Sequence, residues 1–427
     1  MQNNTKKTNL FDRHKDLGAK IAEFSGYEMP LWYKSAKDEH IAVLTSAGIF
    51  DTSHMSPVKI TGPNAWDLLQ FSFSRDLRYC LKNNTSPLEA GKSIYGAFLN
   101  YSGYVIDDAI LSQRGARDYL LMLNAGMGGT ITEYLRYNKK YIAADVEITN
   151  LTDLVDKVDL QGPNSAYILQ KVLKDPDKCF NSLGYFAFKG NFEQQENRAQ
   201  EVELLNHIPV MLSRSGYTGE FGFELLVEEQ NTASLWDMLL QAGEDYGLQA
   251  CGLAARDSLR AGAVLPLSHQ DIGEWPFLNN PWTFALPYNP DKTGFSKQFV
   301  GATALEQTEH ADYTYPFVGY DPRKITPGED SRVLCQGETV GRVLTCTTDM
   351  GIGWKQGRIY SIASPDKPED FKPRGLCCGF VKVNRQLESN QEIEIRDAKR
   401  GVKVLITNNI RPDRTARQNL FPTNVQP

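Results

Sequence analysis

Two adjacent carboxylates, Asp107 and Asp108, follow an apolar run just beyond a turn. Residues 100–103 are typical of a hairpin turn, and the flanking segments 93–99 and 104–111 have the apolar patterns of strands. Successive side chains of a strand leave opposite faces, so one of the two aspartates must point inward. Burial of an unpaired charge is prohibitive, and this carboxylate therefore needs a partner. The pattern predicts either a strand-end aspartate bonded to backbone amides or a carboxylate that serves a site.

The composition excludes several classes of protein. The chain has 427 residues, 41% of them hydrophobic and 23% charged, which is typical of a globular enzyme with two or three domains. A net charge of −6 argues against a general nucleic-acid binder, which is usually basic. No apolar run reaches the ~18 residues of a membrane span, and the polar start lacks the apolar core of a signal peptide. We therefore expect a cytoplasmic protein with neither nucleic acid nor membrane as partner.

Cysteine and histidine usage points in the same direction. The seven cysteines are scattered, which favours free thiols in a reducing compartment over a disulfide framework. None of the six histidines has the spacing of a zinc site. The adjacent Cys377 and Cys378 are a poor ligand pair and are interpreted as small buried hydrophobic side chains. The sequence predicts no metal site.

An internal repeat and a change of pattern predict the domain organisation. A strand, a Gly-Pro-Asn turn and a helix occur in this order at 58–71 and again at 155–172, which indicates two related α+β lobes. From residue 317 onward, short apolar segments separated by Gly, Pro and Asp predict an all-β, barrel-like domain. The predicted limits are 1–315 for the lobes (about 1–150 and 151–315, interleaved) and 316–427 for the barrel-like domain.

Local patterns predict further elements. Apolar spacing predicts a helix over 10–24. A second helix is predicted over 36–47, with Gly48 as its C-cap, and Asn64 is predicted to cap the helix that follows it. Two segments lack periodicity and are predicted to be irregular: the polar surface loop 191–198 and the connection 266–299.

Two further motifs carry candidate chemistry. Glycines at 219 and 222 let a turn approach closely before Glu224 begins a strand, and Arg256 and Arg260 share one helix face. A planar ring with several N–H donors, such as a pterin, would be bound well by the Glu224 carboxylate, which can accept two parallel hydrogen bonds. Arginines on a nearby helix suit a ligand that carries carboxylates. Taken singly, Glu224 also fits a solvated strand residue, and both arginines fit surface ion pairs.

Together these motifs resemble the aminomethyltransferase (glycine cleavage T-protein) family of tetrahydrofolate-dependent enzymes. The resemblance covers nearly the whole chain and follows the family's order. It implies an α+β fold, a three-domain cloverleaf with two lobes and a C-terminal β-barrel around a central folate site. The matching motifs are Leu17-Gly18-Ala19-Lys20, Gly48-Ile49-Phe50-Asp51-Thr52-Ser53-His54-Met55, residues 103–108, Leu160-Gln161-Gly162-Pro163, residues 215–224, residues 255–260 and Phe299-Val300-Gly301-Ala302.

The resemblance also implies an activity and its residues. The family moves an aminomethyl carbon from the lipoyl arm of a carrier protein, the glycine cleavage H-protein, to tetrahydrofolate and releases ammonia. Asp107 matches the family's catalytic aspartate, near folate N5, and Glu224 matches its pterin-binding acid. Four other residues match positions that line the folate site: Tyr95, Asn124, Tyr217 and Arg256.

Departures from the family pattern leave the donor open. The stretch 264–297 carries a thinner basic cluster than the family has, and 352–370 resembles an insertion. An alternative function is therefore a tetrahydrofolate-dependent demethylase acting on a small sulfonio, methoxy or N-methyl substrate. A third is a non-catalytic folate-binding scaffold like the relatives that serve iron–sulfur assembly, whose Lys-Gly-Cys-Tyr-x-Gly-Gln signature does not occur here.

Overall fold

The computed structural model describes residues 5–193 and 201–420. Its strands form two large sheets, which build the two α+β lobes, and a closed barrel of six strands near the C-terminus. The predicted fold class is confirmed. Residues 194–198 of the predicted surface loop lie outside the described residues.

The first sheet contains the hairpin that the sequence predicts. Its five strands are all antiparallel, with the two hairpin strands adjacent at one edge. Helices Ala65–Ser72 and Met127–Tyr141 bury Leu68, Ile131 and Leu135 in the hydrophobic core of this lobe. In spatial order the strands are Lys92–Leu99, Val105–Gly115, Asp118–Leu123, Ser56–Thr61 and Glu147–Asn150.

The second sheet takes one strand from early in the chain. Ala47–Asp51 pairs antiparallel with Val155–Gln161 and parallel with Leu248–Ala250. Helices Ser165–Val172 and Thr232–Gly243 contribute to the core of this lobe. The domain limits near residues 150 and 315 stay a prediction. In spatial order the strands are Phe188–Lys189, Met211–Ser213, Gly222–Glu228, Val155–Gln161, Ala47–Asp51 and Leu248–Ala250.

The repeated Gly-Pro-Asn unit has the same structure in both lobes. Gly62 and Gly162 each follow a sheet strand with φ of +132° and +119°, and a helix begins three residues later. A Cβ atom at Gly62 would lie 2.6 Å from the Asp145 carbonyl oxygen, and one at Gly162 would lie 2.7 Å from that of Ser46. Both positions require glycine because of the backbone conformation and the close approach of another chain segment.

The C-terminal barrel is fixed to the second lobe by a buried ion network. Arg411 is fully buried, and its guanidinium donates to Glu220 at 2.9 Å and to Asp349 at 2.6 Å. Asp349 also bonds His40 of the helix Ala36–Thr45 at 2.9 Å. In spatial order the barrel strands are Tyr313–Gly319, Leu376–Val383, Glu338–Asp349, Arg332–Cys335, Glu392–Arg396 and Gly401–Ile406.

Smaller elements complete the described chain. The segment 266–299 is largely irregular, as predicted, with a single 3-10 turn at Thr283–Ala285. A hairpin of Ile352–Lys355 and Arg358–Ser361 occupies part of the predicted insertion. The remaining elements are strands Lys6–Lys7, Lys20–Phe24 and Tyr27–Trp32, helices Phe11–Asp16, Pro176–Phe180, Leu253–Gly262 and Ala302–Glu306, and 3-10 turns Glu229–Asn231 and Glu244–Tyr246. Within residues 5–193 and 201–420, none of the helices has the length and apolar character needed to cross a bilayer.

Three local predictions are wrong. The helix predicted over 10–24 ends at Asp16, because Gly18 turns the chain with φ of +77° and Lys20–Phe24 pairs as a strand. Gly48 is not a C-cap, since it lies in the buried strand Ala47–Asp51, where a Cβ would meet the Val43 and Cys251 side chains at 2.6 and 2.7 Å. The Asn64 side chain caps no helix N–H but accepts a hydrogen bond from the Asp145 backbone N–H at 3.0 Å.

Candidate active site

Two connected cavities lie where the lobes and the barrel meet. The larger has a volume of about 820 Å³ and is lined from the first lobe, the second lobe and the barrel, by Asn124, Arg256 and Thr347 among others. A narrow cleft of about 130 Å³ lies between the two sheets. The cavities share four wall residues: Met55, Asn124, Tyr217 and Arg256.

Both aspartates of the predicted hairpin are buried at this junction. Asp107 has no exposed surface and Asp108 is 8% exposed. The Asn124 side-chain amide lies between them and donates to Asp107 Oδ1 at 2.8 Å and to Asp108 Oδ1 at 2.7 Å. Only one of the pair was expected to point inward. The other is buried as well, because Ser268 of the irregular segment lies over Asp107 and donates to it at 3.0 Å.

Asp108 is the member of the pair that lines the cleft. Its Oδ2 accepts a hydrogen bond from the Tyr95 hydroxyl at 2.8 Å. Burial, and then the negative charge of Asp107, raise the pKa of Asp108 to about 6. An acid with this pKa can take up and release a proton near neutral pH, as general acid–base catalysis requires.

Asp107 lines neither cavity. Its carboxylate accepts from the Asn124 backbone N–H at 3.1 Å and lies 3.7 Å from the His269 ring. The catalytic role of Asp107 stays a prediction. Asp108 is 8% exposed and lines the cleft whereas Asp107 is fully buried, which favours Asp108 as the group that reaches a ligand. The pairing of the two hairpin strands explains why Asp108 meets Tyr95. Asp108 pairs with Ala97, and Ala97 lies two residues from Tyr95 on the same face of its strand. The pairing shifts by one residue at Phe98/Leu99.

Glu224 lies in the same cleft as Asp108, and each oxygen of its carboxylate accepts one hydrogen bond. Lys157 Nζ donates to one of its oxygens and the Ser215 hydroxyl to the other. Lys157 also donates to Asp159 at 2.6 Å. Burial favours the neutral form of Asp159, but the charges of Lys157 and Arg256 outweigh it and lower the pKa of this group. The sequence analysis missed Lys157, whose only signal was its position two residues before an aspartate on one strand face.

Tyr217 and Arg256 form one wall between the cleft and the larger cavity. The Arg256 guanidinium lies 4.7 Å from the Tyr217 ring centre and donates to Asp159 at 2.9 Å. The Tyr217 hydroxyl donates to the Pro266 carbonyl. Both groups therefore have fixed orientations before any ligand arrives.

The turn before Glu224 folds around the Gln161 side chain. Its amide donates to the Ser215 and Phe223 carbonyls, each at 3.1 Å, and its oxygen accepts from Thr218 at 2.9 Å. A Cβ atom at Gly222 would lie 2.5 Å from Gln161 Cδ. The glycine is thus required by this close approach, and the buried amide places Glu224 at the cleft.

The second arginine of the predicted pair has a structural role. Arg260 is 1% exposed, and its guanidinium is paired with Asp271 and, at 2.8 Å, with Asp257. Although Arg256 and Arg260 are one helical turn apart, only Arg256 borders the cleft. Buried Asp271 and part-exposed Asp257 already pair with the Arg260 guanidinium, which lines the larger cavity. That both arginines serve a ligand's carboxylates stays a prediction.

Comparisons with known proteins agree with this geometry. A family model described as the GCVT N-terminal domain matches residues 10–275, more than half of the chain. An aminomethyltransferase of Bacillus mycoides (strain KBAB4) is 36% identical over 380 residues, which cover 84% of this chain and 96% of that relative. This chain belongs to the aminomethyltransferase family.

One further curated relative supports the assignment to this family, and a solved structure shows the same fold. An aminomethyltransferase of Bacillus cereus (strain G9842) is 35% identical over 305 residues, covering 71% of this chain and 75% of the relative. The crystal structure of glycine cleavage system aminomethyltransferase T from Bartonella henselae superposes with a TM-score of 0.74 at 24% identity. It covers 95% of this chain and 98% of the other, so the two proteins share a fold over almost their whole length.

Two histidines that the sequence analysis did not single out line the larger cavity of this family member: His54 and His269. His54 is 4% exposed, and burial lowers its pKa to about 4, so its ring is neutral. His269 is half exposed, and the Asp107 carboxylate, 3.7 Å from its ring, raises its pKa. Among the described residues, no group of three or more His, Cys, Asp or Glu side chains could hold a metal ion.

Proposed function

We propose that this protein is a glycine-cleavage aminomethyltransferase that moves the aminomethyl carbon of a lipoyl carrier protein to tetrahydrofolate and releases ammonia. One observation carries the proposal. Asp108, whose carboxyl group has a pKa of about 6, lines the same cleft as Glu224, whose carboxylate is held by Lys157 and Ser215. The curated relatives bear the name aminomethyltransferase, which agrees with it.

The cleft fits a reduced pterin ring. Its apolar wall is suited to a flat ring, and Glu224 at its edge can accept hydrogen bonds from ring N–H groups. Lys157 and Ser215 hold the Glu224 carboxylate in place, so little reorganisation is needed when a ring binds. The apolar side chains of the wall are Met55, Ile110, Leu120, Met122, Met211 and Leu226.

The larger cavity fits the acidic tail of a folate together with a donor group. Arg256 borders both cavities, and Lys37 and Lys324 line the larger one. Cationic side chains favour a ligand with carboxylates. We propose Arg256, Tyr217 and Asn124 as the residues that guide such a ligand from the cavity into the cleft.

Asp108 carries the central step in this proposal. Tetrahydrofolate, when bound, supplies the ring nitrogen that accepts the carbon. Asp108 takes the proton from that nitrogen, and the Tyr95 hydroxyl and the Asn124 amide keep its two oxygens oriented. A positioned base of this kind contributes roughly two to four orders of magnitude in rate. Asp107 then acts on Asp108, because its negative charge helps to raise the pKa of that base.

Product analysis tests the proposed donor. Purified protein is mixed with tetrahydrofolate and the aminomethylated lipoyl carrier, and ammonia and methylenetetrahydrofolate are measured together. Equal amounts of both products are expected. If small sulfonio, methoxy or N-methyl compounds instead give methyltetrahydrofolate and no ammonia appears with the carrier, the protein is a demethylase. Tetrahydrofolate binding with no turnover from any donor would make it a scaffold.

We also propose a cytoplasmic site of action and the lipoylated carrier as its partner. All seven cysteines are buried free thiols, which suits a reducing compartment. A pull-down with lipoylated and unlipoylated carrier checks the partner, since only an arm that enters the cavity should depend on the lipoyl group.

A further inference from the structure

His269 has an unusual backbone conformation at the wall of the larger cavity. Its φ is +64°, in the left-handed region that residues other than glycine adopt uncommonly. Its side chain is 51% exposed, so this position does not bury an apolar group.

The buried carboxylate of Asp107 orients the His269 ring. Nε2 lies 3.7 Å from Asp107 Oδ1, the oxygen that also accepts from Ser268. Asp108 and Glu274 add negative charge around the ring. The His269 ring lines the larger cavity, and among the described residues no hydrogen bond reaches its Nδ1. The ring therefore has a carboxylate beside one nitrogen and a second nitrogen without a protein partner in the described chain.

His269 also lies on the side of the junction where a donor must arrive. Asp108 and Glu224 line the narrow cleft, whereas His269 lines only the larger cavity. Asn124 bonds both carboxylates and Asp107 lies 3.7 Å from His269, so Asn124 and Asp107 connect the His269 ring to Asp108. With a ring in the cleft, a donor group that reaches it from the cavity passes His269.

We infer that His269 is the general acid that protonates the amino nitrogen of the donor as that nitrogen departs. This inference rests on the proposed function, and it identifies the group that protonates the departing nitrogen so that it leaves as ammonia. The C–N bond of the aminomethyl group breaks with its electron pair on nitrogen, and Nδ1–H of the imidazolium supplies the third hydrogen of ammonia. The neutral ring regains a proton from water, which its exposed side reaches.

The remaining protons also balance. The donor's C–S bond breaks as well, and the sulfur takes a second proton to become a thiol. Two protons leave the acceptor's two nitrogens as the methylene carbon bonds to both. Two are therefore released and two consumed, and no oxidant or reductant is needed. His269 and Asp108 act on different nitrogens, one on each side of the transferred carbon.

The test compares His269→Asn with a matched variant, His207→Asn. Asparagine tolerates positive φ and keeps a hydrogen-bond donor but cannot act as an acid. His207 has φ of +65°, is 71% exposed and lies 3.7 Å from Glu203, outside both cavities. With carrier and tetrahydrofolate, His269→Asn should release ammonia at least about tenfold more slowly, while His207→Asn matches the parent protein.

A pH profile and a rescue experiment separate acid catalysis from positioning. In the parent protein the rate should fall as pH rises through the pKa of His269, because the imidazolium is the active form. In His269→Asn the rate should no longer decrease as pH rises through this range. In His269→Gly, added imidazole should restore part of the rate. Tetrahydrofolate affinity should not change in any of these variants.

Each other outcome has a definite meaning. Ammonia release by His269→Asn within twofold of the parent overturns the inference and leaves the proposed function intact. A slow variant that keeps the alkaline fall, or a glycine variant without rescue, also overturns it, since His269 would then only position another group. A parent protein that releases no ammonia overturns the proposed function and the inference with it.

Discussion

Asp159 and Glu224 face each other directly across two antiparallel strands of the second sheet, with the Lys157 ammonium bonded to both. Two carboxylates in this relation repel each other unless a cation lies between them. Arg256 adds a second cation on the Asp159 side, at 2.9 Å. The cleft therefore holds a preformed arrangement of charged side chains, in which the Glu224 carboxylate is oriented before a ligand binds.

The first prediction concerns Lys157. Lys157→Met leaves the buried Asp159 and the part-buried Glu224 facing each other without the cation between them, so we expect a loss of roughly 3–5 kcal/mol in the free energy of unfolding. Adding Glu224→Gln should recover much of this stability, because one of the two negative charges is gone. Urea denaturation of the two variants measures the difference. A double variant no more stable than the single one would show that the charge arrangement contributes little.

Glu224→Gln itself separates stability from binding. The amide keeps the shape and can still bond Ser215, so the single variant should fold normally. A charge-assisted hydrogen bond to a ring N–H contributes roughly 1.5–3 kcal/mol, and tetrahydrofolate should bind at least about tenfold more weakly. Calorimetric titration gives the dissociation constant. Unchanged affinity would place the ring elsewhere.

The two aspartates are predicted to behave differently. Asp108→Asn removes the base that lines the cleft and should lower turnover by roughly 100-fold or more, with tetrahydrofolate still bound. Asp107→Asn should lower turnover by at least about tenfold, since it changes the pKa of Asp108 and frees the His269 ring. Single-turnover rates with saturating ligand distinguish them. A larger loss from Asp107→Asn would support the original assignment of Asp107 as the catalytic group.

The pKa of Asp108 also predicts a pH dependence of stability. The pKa is raised from an ordinary 3.8 to about 6, so between these values the folded protein holds a proton that the unfolded chain releases. The free energy of unfolding should therefore fall as pH rises from about 4 to 6, by up to about 3 kcal/mol for this group, and stay level above. Asp108→Asn should then be more stable than the parent protein at pH 7.5 but not at pH 4. Thermal melts of both proteins at both pH values test this. A stability difference between the variant and the parent that is the same at pH 4 and at pH 7.5 would contradict it.

Sequence patterns predicted the structure correctly where only one residue type can adopt the required conformation. The hairpin, the Gly-Pro-Asn units and the turn before Glu224 were recognisable because positive φ or close approach demands glycine at Gly62 and Gly162. Tyr95, Asn124, Tyr217, Glu224 and Arg256 come together at the cleft as the resemblance implies.

The remaining features depend on register and on contacts distant in sequence. Whether Asp107 or Asp108 lines the cleft turns on a one-residue bulge at Ile106 of their own strand, opposite Phe98 and Leu99, which no local pattern reveals. Lys157 gains its role from residues on two other segments, Glu224 and Ser215. The wrong helix over 10–24 arose because Lys20–Phe24 has apolar spacing that suits a helix, while strand pairing decides its conformation.

Two glycines provide a matched test of packing, because Gly48 lies in a buried strand and Gly129 lies in a helix with open space around it. Gly48→Ala would place a methyl group 2.6 Å from Val43 and 2.7 Å from Cys251, and should cost roughly 1–3 kcal/mol of stability. Gly129 lies in a helix with open space around it, so Gly129→Ala should gain about 0.5–1 kcal/mol. Denaturation of both variants under one condition checks the opposite signs. Destabilisation by Gly129→Ala would count against the described geometry of that helix.

The last prediction concerns the attachment of the barrel. Arg411 bonds Glu220 of the second lobe and Asp349 of the barrel, and all three are buried, so Arg411→Met leaves two buried carboxylates without their cation at the junction. A loss of roughly 3–5 kcal/mol is expected. Because Arg411 links the barrel to the lobe, the barrel should loosen first, with faster hydrogen exchange in Glu338–Asp349 than in Val155–Gln161. Arg323→Met, which breaks an exposed pair with Asp321, is the control and should leave exchange unchanged. Equal exchange in both strands of the Arg411→Met protein would mean that the barrel and the lobe unfold as one unit.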